Sequence, residues 1–173
     1  MCDDLKTMPE DRLLDYDKCI EEKSRFLGDN RHIVLATSLE CRVTARTIDY
    51  VSAGLDIIFL SWSHHDKITQ MKGNPKVALC RDNVQIEGVA EILGNPYDDE
   101  NRKYAELYRG KLPVLFNVFA GIPGMIFVKV TPTLFKTFIS GKNRRIEYLD
   151  LSVNKAFWRE LEEEEFTQGD SVT

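Results

Sequence analysis

Four side chains able to hold an anion recur near the ends of neighbouring apolar segments: Arg46, Thr47, Ser61 and Lys67. A phosphate group is best met by a planar guanidinium fork, a compact ammonium charge and hydroxyl donors, and this set supplies all three. Arg46 and Thr47 are adjacent but Ser61 and Lys67 come from later segments, so a small sheet must gather them. Residues 32–38 form a nearly continuous, partly β-branched run that predicts a strand buried on both faces or set in a barrel wall. A turn at residues 39–41 leads to a second strand, 43–51. Its alternation places Val43, Ala45, Thr47 and Asp49 on one face and Thr44, Arg46, Ile48 and Tyr50 on the other. Gly54 closes a hairpin into a strand at 57–60.

Beyond that strand, residues 63–66 read as a helix entry and 67–71 as a short helix, with Ile68 and Met71 on one buried face. Gly73, Asn74 and Pro75 end it. Strands follow at 76–81 and 84–93, joined at Asp82 and Asn83, and Gly88 marks a bulge or a close backbone approach. A helix at 98–108, a second helical piece at 112–120, and strands at 125–131, 133–140 and 145–151 complete the pattern. At the other end, Pro9, Glu10 and Asp11 open a helix over about 9–28, and an acidic tail occupies about 154–173. Many strands joined by short turns, flanked by helices, predict a mainly β protein closing into an antiparallel barrel. Neither a repeat nor a linker divides residues 1–173, so one domain is expected.

Composition narrows the function. A net charge of −5 argues against nucleic-acid binding, which needs a basic face. The opening residues are acidic and polar and no apolar run could span a bilayer, so neither a membrane nor a secretory route is expected. Cys2, Cys19, Cys41 and Cys80 show no metal or disulfide spacing, which reads as free thiols in a cytoplasmic protein. His64, His65 and Asp66 do not make a metal site, because adjacent histidines point apart. Cys41 and Cys80 read as core-facing or partly buried thiols on or beside strands, and Phe116, Phe119, Phe127, Phe135 and Phe138 as core and dimer interface. Taken singly, Arg46 and Lys67 are ordinary surface cations. Their ordered context makes them site candidates.

That context resembles the pyridoxamine 5′-phosphate oxidase-like, FMN-binding split-barrel family. The resemblance rests on Ala36-Thr37, Arg46-Thr47-Ile48-Asp49, Ser61-Trp62, Lys67, Asn74-Pro75 and Gly88, six features in family order across most of the chain. It implies a Greek-key-like split β-barrel and a homodimer with FMN sites at the subunit interface. Arg46 and Lys67 would hold the FMN phosphate and Ser61 would add a hydroxyl. The backbone of residues 46–49, carrying Thr47, Ile48 and Asp49, would pass the flavin ring, and Trp62 would line the pocket. Asn83 would contribute an amide from the facing subunit. The chain departs from the family at Asp66, where a second basic residue is common, and at His65, where Ser is common. Capping of the short helix is the role expected of Asp66. A C-terminal Arg-x-His motif has no counterpart, so authentic pyridoxamine phosphate oxidase activity is not expected. No residue stands out as a general acid or base, which fits chemistry carried by the cofactor. The expected function is flavin-dependent oxidation or reduction of a small molecule. The alternatives are a non-catalytic flavin or haem binder, acting as carrier or sensor, and a barrel that binds no cofactor.

Overall fold

The computed structural model describes residues 11–161. Pro9, Glu10, Cys2 and the glutamates at 162–165 lie outside the described residues. The chain opens with a two-residue strand, β1 (Arg12–Leu13), and the first helix, α1 (Tyr16–Asp29), starts later than its sequence predicts. Asp15 sets that start, because its carboxylate accepts from the Lys18 amide at 3.0 Å and caps the first turn. Four strands follow: β2 (His32–Leu39), β3 (Arg42–Asp49), β4 (Val51–Ala53) and β5 (Asp56–Trp62). Then come α2 (Asp66–Gly73), β6 (Lys76–Arg81) and β7 (Val84–Gly94). A short 3-10 turn leads into α3 (Arg102–Lys111) and α4 (Pro113–Phe119), before β8 (Met125–Ile139), β9 (Arg145–Asp150) and β10 (Lys155–Glu160). Among the described residues no helix is long and apolar enough to cross a membrane.

All strands pair antiparallel; eight follow the order β1-β10-β9-β8-β7-β6-β2-β3, and off this path β5 pairs with β8 and β4 with β5. The long strand β8 organises the barrel. One of its edges carries β7, and the other is shared, by β5 as far as Val130 and by β9 from Leu134 onward. Pro132 sits at that hand-over. Its presence predicts two strands, yet the strand runs through, because neither β5 nor β9 pairs there and the facing register shifts at Gly88. Gly88 provides the space: a Cβ there would come within 2.9 Å of the Thr131 carbonyl oxygen and 2.8 Å of the Val130 side chain. Both expectations for Gly88, a bulge and a close approach, are met.

The acidic tail expected from residue 154 is corrected in its first part. Residues 155–160 form β10, a full partner of β9, and Phe157 stacks on Tyr148 with ring centroids 4.8 Å apart. The β4 segment likewise extends pairing to Ser52 and Ala53, which the sequence places in a turn.

Two apolar clusters hold this frame. The larger fills the barrel with Leu35, Ile57, Phe59, Ile86, Val128 and Phe135, plugged from outside by Leu27 of α1 and Ile68 of α2. The smaller packs Tyr108 and Phe116 of α3 and α4 onto Val51, Ile58 and Phe127. Side chains of this kind, fully buried, each contribute about 1.5–3 kcal/mol relative to exposure. β3 and β5 do not pair with each other. The barrel therefore stays open along one seam, flanked by α2 and the α3–α4 cluster.

Candidate functional site

A cleft of about 240 Å³ opens along that unpaired seam. Thr47, Ile48 and Asp49 line it from β3, Leu60, Ser61 and Trp62 from β5, and His65 and Lys67 from the start of α2. Tyr108, Leu115, Phe119 and Met125 close its apolar end. Six of the eight residues singled out in sequence therefore share one cleft. Arg46 does not line the cleft; it lies on the face of β3 shared with Thr44 and Ile48, as the strand alternation predicts, within electrostatic reach of Lys67. Asn83 does not reach the cleft of its own chain. It sits in the β6–β7 turn and donates to the Phe138 carbonyl at 2.7 Å.

Among the described residues Arg46 is held by neutral oxygens alone. Its Nη1 donates to Thr37 Oγ1 at 2.6 Å and to the Leu35 carbonyl at 3.3 Å, and its Nη2 donates to Thr44 Oγ1. Thr37 and Thr44 face each other across β2 and β3. Both hydroxyls in turn donate to Gln70 Oε1, at 2.6 and 2.8 Å, and Gln70 Nε2 donates to the Arg42 carbonyl. Gln70 is only 5% exposed. The network has one consistent set of directions: the hydroxyl protons point at Gln70, so the lone pairs point at the guanidinium. Three of the five Arg46 N–H groups are thereby engaged. The two that remain, on Nε and Nη2, lie on one edge of the fork, the edge that grips a phosphate or carboxylate through two parallel bonds.

Lys67 is the second cation. Burial lowers its pKa and the neighbouring Arg46 charge lowers it further. Burial likewise lowers the Arg46 pKa, opposed by the Asp66 carboxylate. Two desolvated like charges within electrostatic reach are a standing cost that an anion between them would relieve. Lys67 Nζ lies 3.0 Å from His65 Nδ1. The His65 pKa is lowered by burial first, then by Lys67 and His64, with Asp66 opposing.

The acids nearby are engaged elsewhere. Asp49 is bound by Arg31 at 2.7 Å and His32 at 3.0 Å. Asp66 turns to Arg42, 3.4 Å away. The capping role expected of Asp66 is not the one observed. His65 occupies the cap position, without a side-chain cap bond, and Asp66 is the first helical residue. Ser61 is buried, lines the cleft and donates to the Trp62 carbonyl at 3.2 Å.

The apolar end was not singled out as one site. Tyr108 and Met125 lie far from Arg46 in the chain, and their helical or strand spacing reads as core. Phe119 reads only as one of the core and interface phenylalanines. Tyr108 is held by the Leu60 backbone and its phenol pKa is raised, chiefly by burial.

No family model matches the sequence. No curated protein matches it either. Solved structures do. A candidate pyridoxamine 5′-phosphate oxidase from Listeria innocua aligns at TM-score 0.56 and 18% identity, over 70% of this chain and 99% of that one. An FAD-binding protein from Mesorhizobium loti aligns at TM-score 0.55 and 17% identity, over 73% and 94% of the two chains. HutZ, a haem storage protein from Vibrio cholerae, aligns at TM-score 0.54 and 11% identity, over 69% and 91%. An antiparallel barrel left open at the β3–β5 seam and these alignments agree: the chain carries the split-barrel fold of the pyridoxamine 5′-phosphate oxidase-like family.

Proposed function

We propose that this protein binds FMN at the β3–β5 seam and acts as a flavin-dependent oxidoreductase on a small molecule. One observation carries the reading: Lys67 lines the polar end of a cleft whose other end is apolar, Arg46 lies within electrostatic reach of it, and neither has a carboxylate partner among the described residues. A flavin mononucleotide has the matching polarity, a phosphate dianion at one end and a flat ring at the other. In this reading the free edge of Arg46 and the ammonium of Lys67 take the phosphate, and the Ser61 hydroxyl turns from the Trp62 carbonyl to donate to it. The backbone of Thr47, Ile48 and Asp49 borders the ring, and Trp62 and Phe119 offer it apolar surface. When bound, FMN supplies the hydride and electron chemistry, and the protein's part is binding, orientation and exclusion of water.

The cleft of one chain is smaller than the roughly 300–1,000 Å³ usual for a cofactor site. A second copy of the chain completing it is the simplest remedy. Val34, Val43 and Val89 leave apolar side chains exposed on the outer face of β2, β3 and β7, which suits a homodimer contact. In such a dimer Asn83, at its exposed turn, would be offered to the partner's cofactor.

Non-catalytic binding of a flavin or haem is the second reading, favoured by the fold shared with HutZ. The absorption spectrum of freshly purified protein, with identification of the released chromophore, tests both. Flavin bands and released FMN support the first reading, and a Soret band supports haem. A colourless protein that takes up neither removes both.

A further inference from the structure

We propose that His65 is a proton-coupled ligand of the anion held by Arg46 and Lys67, so that the site takes up a proton at His65 as it binds a phosphate dianion. This rests on the phosphate assignment above and adds to it a residue at which the chain departs from the serine that the resemblance leads one to expect.

The geometry sets the protonation state of the free site. A lysine ammonium has only donors, so its 3.0 Å contact with Nδ1 requires that nitrogen to be bare. The ring is then neutral and carries its proton on Nε2. A protonated ring would place a third cation against Lys67 and Arg46. The groups around the ring decide whether that is tolerated. On α2 they are Lys67, cationic, and Asp66, already bound to Arg42 of β3. His64 lies in the preceding turn with its ring centroid 5.3 Å away. On β3 they are Arg46, which lowers the pKa of Lys67, and Asp49, bound by Arg31 and His32. Tyr108 of α3, whose pKa is raised, is neutral. The balance is cationic, and it keeps the free imidazole uncharged.

A phosphate dianion inverts that balance. Its two negative charges offset Arg46 and Lys67, and its oxygens accept the ammonium donors that were aimed at Nδ1. The bare nitrogen is then free to bind a proton, taken from solvent, and the imidazolium adds a charged donor to the phosphate. The His65 pKa is therefore lower in the free site than in the complex. Binding is coupled to proton uptake between those two values, and affinity rises as the pH falls through that interval. Histidine at this position makes anion release sensitive to pH near neutrality, where serine would not titrate.

The test compares wild type with His65→Gln, which keeps an acceptor for Lys67 and a donor for phosphate but does not titrate. FMN is titrated calorimetrically into the full-length chain freed of flavin, at about pH 6.5, in two buffers of different ionisation heat. Wild type is expected to take up more protons than His65→Gln. Its affinity relative to the variant is expected to rise about fivefold between roughly pH 8 and pH 6. The second ionisation of a phosphate monoester, near pH 6, is common to both proteins and cancels in the difference. Riboflavin, lacking the phosphate, is expected to show no difference between them. Equal proton counts and parallel pH profiles overturn the proposal, as does a riboflavin difference equal to that with FMN. If the variant does not fold, the His65 ring resonance of wild type decides: it must titrate at higher pH with FMN than without. Absence of FMN binding to wild type is a separate outcome, which removes the phosphate assignment and this proposal together.

Discussion

Two regions of the molecule are rich in cations, and only one has the makings of an anion site. The sheet edge formed by β1, β9 and β10 carries Arg12, Arg145, Lys155 and Arg159. Each has a carboxylate: Glu160 for Arg12, Glu147 for Arg145, and Asp11 for both Lys155 and Arg159. Aromatic faces occupy the same charges, with Arg12 over Trp158 at 4.5 Å and Arg159 over both Tyr148 and Phe157. At the β3–β5 seam, Arg46 and Lys67 bind only neutral oxygens and a neutral ring, and the nearby acids are turned away. A count of basic residues favours the first region. Unneutralised, partly desolvated charge favours the second, and that quantity attracts an anion.

The largest effect is expected from Arg46→Ala. It removes two charge-assisted bonds to the phosphate, so FMN affinity measured by fluorescence quenching should fall about 100-fold. Arg159→Ala, in the neutralised region, should leave that affinity unchanged, and a comparable loss there would erase the contrast. Lys67→Ala, which removes a point charge and leaves the fork intact, should weaken FMN about tenfold.

Gln70→Leu probes how much of the site lies in orientation. The variant keeps both cations and removes the acceptor that directs the Thr37 and Thr44 hydroxyls. Affinity should fall about tenfold, and chemical denaturation should show a stability loss of about 1–3 kcal/mol from the unsatisfied buried hydroxyls. A variant that loses stability but binds normally would mean Arg46 needs no clamp. Asp66→Asn should tighten FMN by no more than about threefold, because Asp66 is exposed and its charge is screened. A larger gain would show that Asp66 acts on the site despite its contact with Arg42.

The smallest effect lies in the neutralised region. Lys155 and Arg159 hold the Asp11 pKa below the ordinary carboxylate value. A depressed folded value means the stabilisation is present above the unfolded pKa and is lost as the pH falls through the folded one. Protection of the β1 amides against hydrogen exchange, taken relative to their intrinsic rates, should therefore fall below about pH 4, with the seam unaffected.

Much of this was legible in the chain. The alternation of β3 placed Thr44, Arg46 and Ile48 together on one face, because strand periodicity is local geometry, and the fold decided that this face is the inner one. Gly88 announced a tight place for the same reason. Asn74 and Pro75 ended α2 as their backbone preferences require. What failed locally failed for identifiable causes. Pro132 read as a strand break, and only the hand-over between β5 and β9 lets it stay in the strand. Residues 155–160 read as the start of a charged tail, and only pairing with β9 and stacking on Tyr148 make them a strand. Asp66 read as a helix cap because Asp before a helix usually is one, and Arg42 from another element took it instead.

The sequence by itself determined which groups exist to meet an anion, which face of each strand they occupy, and the order of elements that resembles a split barrel. Those properties follow from side-chain chemistry and from the twofold repeat of a strand. The tertiary structure alone decided that β3 and β5 leave a seam, that Gln70 turns two threonines toward Arg46, and that Tyr108 and Phe119 form the apolar end. It also decided which cations keep their charge uncompensated. That depends on distances between residues far apart in the chain, and such distances are set by packing.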